Sequence, residues 1–340
     1  MERWPKIRIA TVAIGAALFA AACTAAPSES AEGGGTSSPA LSTPAPTPTP
    51  VSSISSGRIL FTIESGEQGT SVPSYIDPNG VHQVVMPEDG TFAHAVWGPG
   101  DMIVFDSEQA GPRHLFSMSI YGGGVTQVTR GPKNQSNADM FPHGTRTVFE
   151  SWDSQHDLGF FTVDVDAGGV PQPLLTLPDV STTTSGSVGL TEAAYSPDGR
   201  WIAFTRLSGS DRSVSAIFVA RTDGSDIRRL TQDALVASYP RWSPDGTTIL
   251  FQQNIDEQGS PLWTVPFAGG KPRRLTTDQG SDGWAAEGDW SPDGRQIVFK
   301  YYETGWDHNE LRIVDADGTA EETIWVSDPA HTAETPDWGP

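Results

Sequence analysis

The fold is decided by residues 241–251, RWSPDGTTILF, because this stretch returns repeatedly along the chain. Residues 290–299, WSPDGRQIVF, and residues 195–204, YSPDGRWIAF, are close copies, whereas residues 97–105, WGPGDMIVF, and residues 141–149, FPHGTRTVF, are eroded ones. The leading aromatics are Trp97, Phe141, Tyr195, Trp242, Trp290 and Trp338. Subtraction of their numbers gives spacings of 44, 54, 47, 48 and 48 residues. A period of this size is typical of repeat architectures.

Each copy predicts a β-hairpin. In Ser-Pro-Asp-Gly the proline presets φ, the aspartate bonds nearby backbone, and the glycine accepts a conformation that other residues find strained. An aromatic precedes the turn and an alternating apolar run follows it. After the copy at residues 241–251, we expect a third strand at residues 262–265, a glycine turn at residues 268–270 and a fourth strand at residues 273–276. Four short antiparallel strands, repeated radially, form a propeller blade.

The two ends of the repeat region complement each other. Residues 58–63, 74–76 and 82–85 have the pattern of strands two to four of a blade whose first strand is missing. Residues 337–340, DWGP, begin one more copy and would supply that strand. Closing the ring in this way removes an exposed strand edge. The sequence therefore predicts an all-β, six-bladed β-propeller of four-stranded antiparallel blades, with its first blade closed by the C-terminal strand.

The repeat resembles the WD40-like repeat of TolB-type six-bladed propellers, which also occurs in the N-terminal propellers of prolyl oligopeptidase and dipeptidyl peptidase relatives. The resemblance rests on the pattern WSPDG…IVF…RRLT and covers residues 57–340. It implies the fold, but propellers host many functions. TolB proteins carry an additional α/β domain before the propeller, whereas a low-complexity segment precedes it here.

The N-terminus has the features of a lipoprotein leader. Residues 1–22 combine a basic start with an apolar, alanine-rich run, and residues 18–23, LFAAAC, read as a lipobox. Cys23 is the single cysteine of the chain, at the position that would carry the lipid thioether. Ordinary secretory cleavage after the alanines is the alternative. Residues 23–56, rich in Ser, Thr and Pro, predict a disordered tether. The expected location is therefore the cell envelope, outside the cytoplasm and lipid-anchored to the membrane.

Composition limits the classes of partner. The chain has 42 acidic and 21 basic residues, a formal net charge of −21. Nucleic acids and anionic membrane surfaces require basic patches, so we expect no nucleic-acid partner and membrane contact only through the N-terminal lipid.

Sequence motifs of catalysis are missing. We find no Gly-x-Ser-x-Gly, His-Glu-x-x-His, Walker or dinucleotide pattern, so we assign no catalytic residue and expect no cofactor. The seven histidines show no metal-ligand spacing, and no metal residue is assigned. A ring can still bring distant residues together, as propeller-type pectate lyases do. The Asp-rich turns at residues 164–168 and 315–318 lack the further ligands of a calcium loop.

The resemblance to these propellers implies that the first strand of each blade lines a central channel. The candidate binding residues there are His94, Asp139, Glu192, Tyr239, Arg241, Glu287, Asp289, Glu334 and Asp337. This set is mostly acidic, with Arg241 its only cation. Crowded carboxylates have raised pKa values and attract a positively charged group. The simpler interpretation is a wet, polar channel without a ligand.

Two functions remain open. The leading hypothesis is a non-catalytic, membrane-anchored module that binds a protein, peptide or glycan of the envelope. The alternative is a metal-dependent polysaccharide lyase or hydrolase with its site at the channel.

Overall fold

A computed structural model describes residues 54–65, 70–85, 91–109, 111–153, 157–176, 189–208, 214–232, 235–254, 260–276, 283–303, 309–328 and 331–339. The predicted signal peptide, Cys23 and the tether up to residue 53 lie outside these residues. Over the described ranges no helix is both long and apolar enough to cross a bilayer.

The described residues form 24 strands. The first eight are β1 (Arg58–Ser65), β2 (Thr70–Ile76), β3 (His82–Val84), β4 (Ala93–Trp97), β5 (Met102–Ser107), β6 (His114–Ser119), β7 (Thr126–Gln127) and β8 (Asn134–Met140). The next eight are β9 (Arg146–Trp152), β10 (Asp157–Asp164), β11 (Gly168–Thr176), β12 (Gly189–Tyr195), β13 (Trp201–Ser208), β14 (Val214–Arg221), β15 (Arg228–Arg229) and β16 (Ala237–Trp242). The last eight are β17 (Thr248–Gln253), β18 (Leu262–Pro266), β19 (Arg273–Arg274), β20 (Gly283–Trp290), β21 (Gln296–Glu303), β22 (Asn309–Asp315), β23 (Glu322–Val326) and β24 (His331–Gly339).

These strands make six four-stranded antiparallel sheets, which confirms the predicted six-bladed propeller. Blade 1 has the order β24-β1-β2-β3, and blades 2 to 6 follow in chain order from β4-β5-β6-β7 to β20-β21-β22-β23. The first strand of each blade contacts the first strands of both neighbouring blades, so β4, β8, β12, β16, β20 and β24 form a closed inner ring.

The predicted closure of blade 1 is confirmed. Strand β24 pairs antiparallel with β1, and Trp338 lies opposite Ile59. The indole N–H of Trp338 donates to the carbonyl of Ser56 at 2.7 Å. The segment before β1 is part of the same packing: Ile54 is buried in the core between blades 6 and 1, and the backbone N–H of Ser55 donates to Gln296 Oε1 at 2.9 Å.

The turn motif explains its own composition. Ser243 Oγ donates to Asp245 Oδ1 at 2.7 Å and accepts the backbone N–H of Thr248 at 3.0 Å. Asp245 Oδ1 also accepts the N–H of Thr247 at 2.9 Å. Gly246 follows with φ of +69°, in the left-handed region that glycine adopts without strain. The serine and aspartate side chains thus stabilise the turn by hydrogen bonds within it, and the glycine supplies its left-handed residue.

A phenylalanine of the second strand fills the core of every blade. These residues are Phe61, Phe105, Phe149, Phe204, Phe251 and Phe299, all almost completely buried. Truncating such a side chain to alanine typically costs about 3–5 kcal/mol of folding stability. The apolar run after each turn therefore supplies the main packing residue of its blade.

The residue before the turn of each copy is here called the anchor of its blade, and Phe141, taken from the sequence as the leading aromatic of blade 3, does not occupy that position. Met140 pairs with Thr147 across the hairpin, in the register that Trp242 has with Ile249 in blade 5. Phe141 instead occupies the place that serine has in the Ser-Pro-Asp-Gly turns. The eroded copy starts one residue earlier than its aromatic suggests, and its anchor is an unbranched methionine.

Candidate functional site

Each inner strand contains a β-bulge centred on a residue that is not glycine but has a positive φ. These residues are His94 (47°), Asn137 (51°), Glu192 (59°), Tyr239 (54°), Glu287 (47°) and Thr335 (46°), and we call them the bulge ring. Side chains other than glycine pay about 1–3 kcal/mol for such a conformation, and the surrounding structure must hold them in it. The bulges turn one side chain per blade out of the regular strand alternation.

Hydrogen bonds between blades hold the bulges in place. At five seams the backbone N–H of a bulge residue donates to a side-chain oxygen of the preceding blade. These bonds join Asn137 to Asp106 (3.3 Å), Glu192 to Glu150 (2.7 Å), Tyr239 to Glu192 (2.7 Å), Glu287 to Gln252 (3.1 Å) and Thr335 to Glu287 (3.0 Å). The channel carboxylates are therefore structural as well as electrostatic elements.

A second level of charged residues lies two positions after the bulges. It consists of Asp139, Asp289, Asp337 and Arg241, which we call the aspartate level. Each aspartate accepts the backbone N–H of the next anchor at 2.7 Å, in the pairs Asp139–Tyr195, Asp289–Trp338 and Asp337–Trp97. Arg241 is half-buried, and the negative charges of Asp289, Asp139 and Asp337 raise the pKa of its guanidinium despite the opposing effect of desolvation.

Burial disfavours the charged form of these acids. It raises the pKa of Asp139 to about 6 and that of Glu192 to about 7, although hydrogen bonds and Arg241 act in the opposite direction. The pKa of Asp337 is also raised, by burial and by the neighbouring charge of Asp289. The predicted raised pKa values thus occur at both levels of the channel.

The prediction that Arg241 is the only cation of the channel is wrong. Lys300, on the second strand of blade 6, is 3% exposed and lies 2.9 Å from Glu287 Oε2. It also pairs with Glu334, which accepts a further hydrogen bond from the Tyr302 hydroxyl at 3.2 Å. Burial alone would raise the pKa of Glu287, but the charge of Lys300 reverses the shift, and the net pKa is lowered.

His94 of the bulge ring also belongs to a charged cluster on blade 2. Its Nδ1 lies 2.8 Å from Asp106 Oδ1, and Arg113 Nη1 lies 2.9 Å from Asp106 Oδ2. Burial would lower the pKa of His94, but the Asp106 carboxylate more than offsets it and raises the pKa. Blade 1 has two buried hydroxyls, Thr62 Oγ1 and Thr335 Oγ1, without a hydrogen-bond partner among the described residues.

The structure places the nine predicted residues in three positions. His94, Glu192, Tyr239 and Glu287 belong to the bulge ring, and Asp139, Arg241, Asp289 and Asp337 to the aspartate level. Glu334 directly precedes a bulge and binds Lys300.

Sequence reasoning missed the polar residue that follows the core phenylalanine of each second strand. These residues are Thr62, Asp106, Glu150, Thr205, Gln252 and Lys300. The signal is visible in the repeat, where a polar residue follows the apolar run in all six blades.

The geometry offers few metal ligands. Within the described ranges, no group of three or more His, Cys, Asp or Glu side chains is arranged to hold a metal ion. In the Asp-rich turns, Asp164 Oδ1 accepts the N–H groups of Asp166 and Ala167, and Asp317 Oδ1 accepts that of Thr319. These aspartates therefore close their own turns.

A closed ring of six blades around a charged channel defines the class of this protein. Within this class, residues 175–340 of the chain match the TolB beta propeller domain family.

Three comparisons illustrate the likeness. An uncharacterised protein of Agrobacterium fabrum is 31% identical over 115 residues, which are 32% of this chain and 38% of that protein. The match thus spans well under half of that relative. TolB from Acinetobacter baumannii superposes with a TM-score of 0.65 at 18% identity, over 84% of this chain and 67% of that one. An oligogalacturonate lyase in complex with manganese superposes with a TM-score of 0.52 at 13% identity, over 80% and 74%. The likeness to the two solved structures, at 18% and 13% identity, establishes the fold alone.

Proposed function

We propose that this chain is a non-catalytic binding module of the cell envelope whose channel holds a positively charged group of a protein, peptide or glycan partner. The observation that carries the proposal is the excess of carboxylates over cations at the two levels of the channel. The charges of Asp139, Asp289, Asp337 and Glu192 all act on the single guanidinium of Arg241. A funnel of this charge attracts ammonium or guanidinium groups.

The raised pKa values of the channel give the proposal a distinctive signature. Asp139 and Glu192 are partly protonated near neutral pH, with pKa values of about 6 and about 7. A bound cation favours the ionised form of both acids. Binding should therefore release protons, and affinity should rise with pH between 6 and 8.

The proposed location rests on the leader. We expect Cys23, which lies outside the described residues, to carry a lipid that anchors the chain at the membrane through the tether. Cys23→Ala should move the protein from the membrane fraction to the soluble fraction, because alanine forms no thioether. Retention of the variant in the membrane fraction would contradict the lipid anchor.

The binding role is tested by affinity capture of the tagged full chain from its own envelope, followed by identification of what is retained. The captured partner is then titrated against the double variant Asp139→Asn/Glu192→Gln. Each amide keeps an oxygen that accepts the backbone N–H now bound by the carboxylate. The variant should lose affinity and salt dependence together, because only charge is removed.

The matched control is Asp166→Asn/Glu322→Gln, which removes the same two charges from exposed positions. This control should bind as the unmodified chain does. Equal affinity of the channel variant and the control would place the partner elsewhere on the propeller. Cleavage of an acidic polysaccharide by the purified chain, abolished by chelation of metal ions, would replace the proposal with the lyase or hydrolase alternative.

A further inference from the structure

A cavity of about 160 Å³ opens at the seam between blades 3 and 4, away from the channel residues. Its walls include Phe141 from the β8–β9 turn, Leu174 from β11 and Tyr195 from the end of β12. The volume is close to the ~150 Å³ that accommodates a benzene ring in an apolar protein interior. The site is therefore large enough for a small organic molecule.

The cavity lies between blades 3 and 4, the two blades whose anchor is not a tryptophan. In blades 2 and 5 the anchor is a tryptophan whose indole N–H donates to backbone carbonyls: that of Trp97 to Asp337 at 3.1 Å, and that of Trp242 to Ala194 at 3.1 Å. Blade 4 has Tyr195 at this position. Its ring packs edge-on against Phe141, with centroids 5.4 Å apart and planes at 85°. Breaks in a local rule are often functional.

Two residues of the cavity wall, Tyr195 and Thr162, have buried hydroxyl groups that lack a partner in hydrogen-bonding geometry among the described residues. The Tyr195 side chain is 6% exposed, and its hydroxyl lies beside that of Thr162 but outside hydrogen-bonding geometry. Neither group has another partner among the described residues. A buried donor without an acceptor costs about 1–3 kcal/mol. A ligand acceptor would satisfy both hydroxyls if the two side chains turned toward the cavity.

The basic side chain of the cavity is Arg146, which also lies within electrostatic range of the Asp164 carboxylate. Arg146 lines the same wall, and its guanidinium is near enough to act on the Tyr195 hydroxyl electrostatically. Within the described part of the chain it forms no ion pair. Asp223 lies on the cavity wall as well, but its Oδ1 already accepts the N–H and hydroxyl of Ser225. The negative charge of Asp223 repels an anion. A variant that removes this charge should therefore strengthen binding, whereas the other variants should weaken it.

We propose that the seam cavity binds a small carboxylate, whose apolar body packs on Phe141 and Leu174 and whose oxygens accept hydrogen bonds from Tyr195 and Thr162 beside Arg146. Tyr195 is suited to donate, because burial raises the pKa of its hydroxyl to about 12 and the proton is retained. This site is distinct from the channel, although Asp139 of the channel accepts the backbone N–H of Tyr195.

The probe pair is benzoate and benzamide, which share shape and differ in charge, with acetate as a smaller carboxylate. Titration of the purified full chain by calorimetry should show binding of benzoate or acetate, and at least about tenfold weaker binding of benzamide than of benzoate. A hydrogen bond to a charged group typically contributes enough for a difference of this size.

Variants assign the binding to the cavity. Tyr195→Phe should weaken benzoate binding at least about tenfold, and Arg146→Gln should weaken it and reduce its salt dependence. Asp223→Asn should strengthen it, because a repulsive charge is removed. Arg200→Gln is the matched control, an exposed arginine outside the cavity, and should bind like the unmodified chain.

Weaker binding of benzoate by Tyr195→Phe would not be explained by a loss of folding. Tyr195→Phe keeps the ring and deletes an unsatisfied hydroxyl, so the variant should unfold at or slightly above the temperature of the unmodified chain. The proposal is overturned if neither carboxylate binds at millimolar concentration, if benzamide binds as well as benzoate, or if Tyr195→Phe retains full affinity. A cavity that holds only ordered water would give the first of these results.

Discussion

Glu192 shows how one residue of this ring combines two roles. Its Oε2 accepts the backbone N–H of Tyr239 at 2.7 Å and the hydroxyl of Thr205 at 2.7 Å, so it links blade 4 to blade 5. The same position removes it from water, and burial raises its pKa to about 7. A carboxyl group that links blades is thus held at a pKa where neutral pH divides it between two charge states.

This shift predicts how stability changes with pH. A folded pKa of about 7, against 4.5 for the ordinary glutamate, means that the folded chain binds the proton more tightly than the unfolded chain. The contribution of Glu192 is complete below about pH 4.5 and disappears as pH rises through 7. Thermal unfolding should therefore show lower stability at pH 8 than at pH 5, by about 2 kcal/mol from this residue. Glu192→Gln should flatten the dependence, and an unchanged slope would contradict the assignment.

The bulged inner strand is the element that defines the channel. A regular strand would alternate its side chains between two faces, whereas each bulge inserts one extra residue and turns it toward the ring. Thr335 has the least suitable side chain for this conformation, because it is β-branched and its φ is 46°. Its hydroxyl also lacks a partner among the described residues.

We expect Thr335→Gly to stabilise the chain by about 1 kcal/mol, because glycine adopts a positive φ freely and the buried hydroxyl disappears. Thr332→Gly, in the same strand at an ordinary conformation, should destabilise by about 0.5–1 kcal/mol. Urea unfolding of both variants measures the difference. A loss of stability in Thr335→Gly as large as in Thr332→Gly would show that the bulge stores no strain.

The repeat could be predicted from sequence because its turn residues act locally. The serine, aspartate and glycine of residues 243–246 hydrogen-bond within the turn itself. Each copy of the motif therefore predicts its own hairpin. The anchor of blade 3 was misassigned because Phe141 took the place of the turn serine, and only strand register separates it from Met140. The bulge conformations were not predictable, since they depend on acceptors such as Glu150 that come from another blade.

At the scale of the whole molecule, the pairing of β24 with β1 makes the ring one cooperative unit. Trp338 is 5% exposed and packs in the core that blades 6 and 1 share. Its backbone N–H donates to Asp289, which ties the closing strand to blade 6 as well. Blade 1 therefore combines the last described strand, β24, with the first three, β1 to β3, and β24 also bonds to blade 6.

Trp338→Ala should cost about 3–5 kcal/mol of unfolding free energy, in line with other losses of large core aromatics. Removal of the residues from Thr335 onward should cost at least as much and expose the edge of β1. Calorimetric melting compares both variants with Trp284→Ala, a partly exposed tryptophan of β20, which should lose less. Melting of the truncated chain at the unmodified temperature would contradict closure by β24.

The segment that leads into β1 also has a mechanical consequence. Ile54 is buried, Ser55 bonds to Gln296 and Asp293 of blade 6, and the carbonyl of Ser56 accepts the indole N–H of Trp338. A pulling force applied through the residues before Ile54 must first break these contacts of Ile54, Ser55 and Ser56. It then reaches a strand flanked on both sides by hydrogen-bonded neighbours, where two ladders must shear at once instead of one edge strand peeling away. Tension applied through the residues before Ile54 is thus resisted by blade 1 together with its closing strand β24.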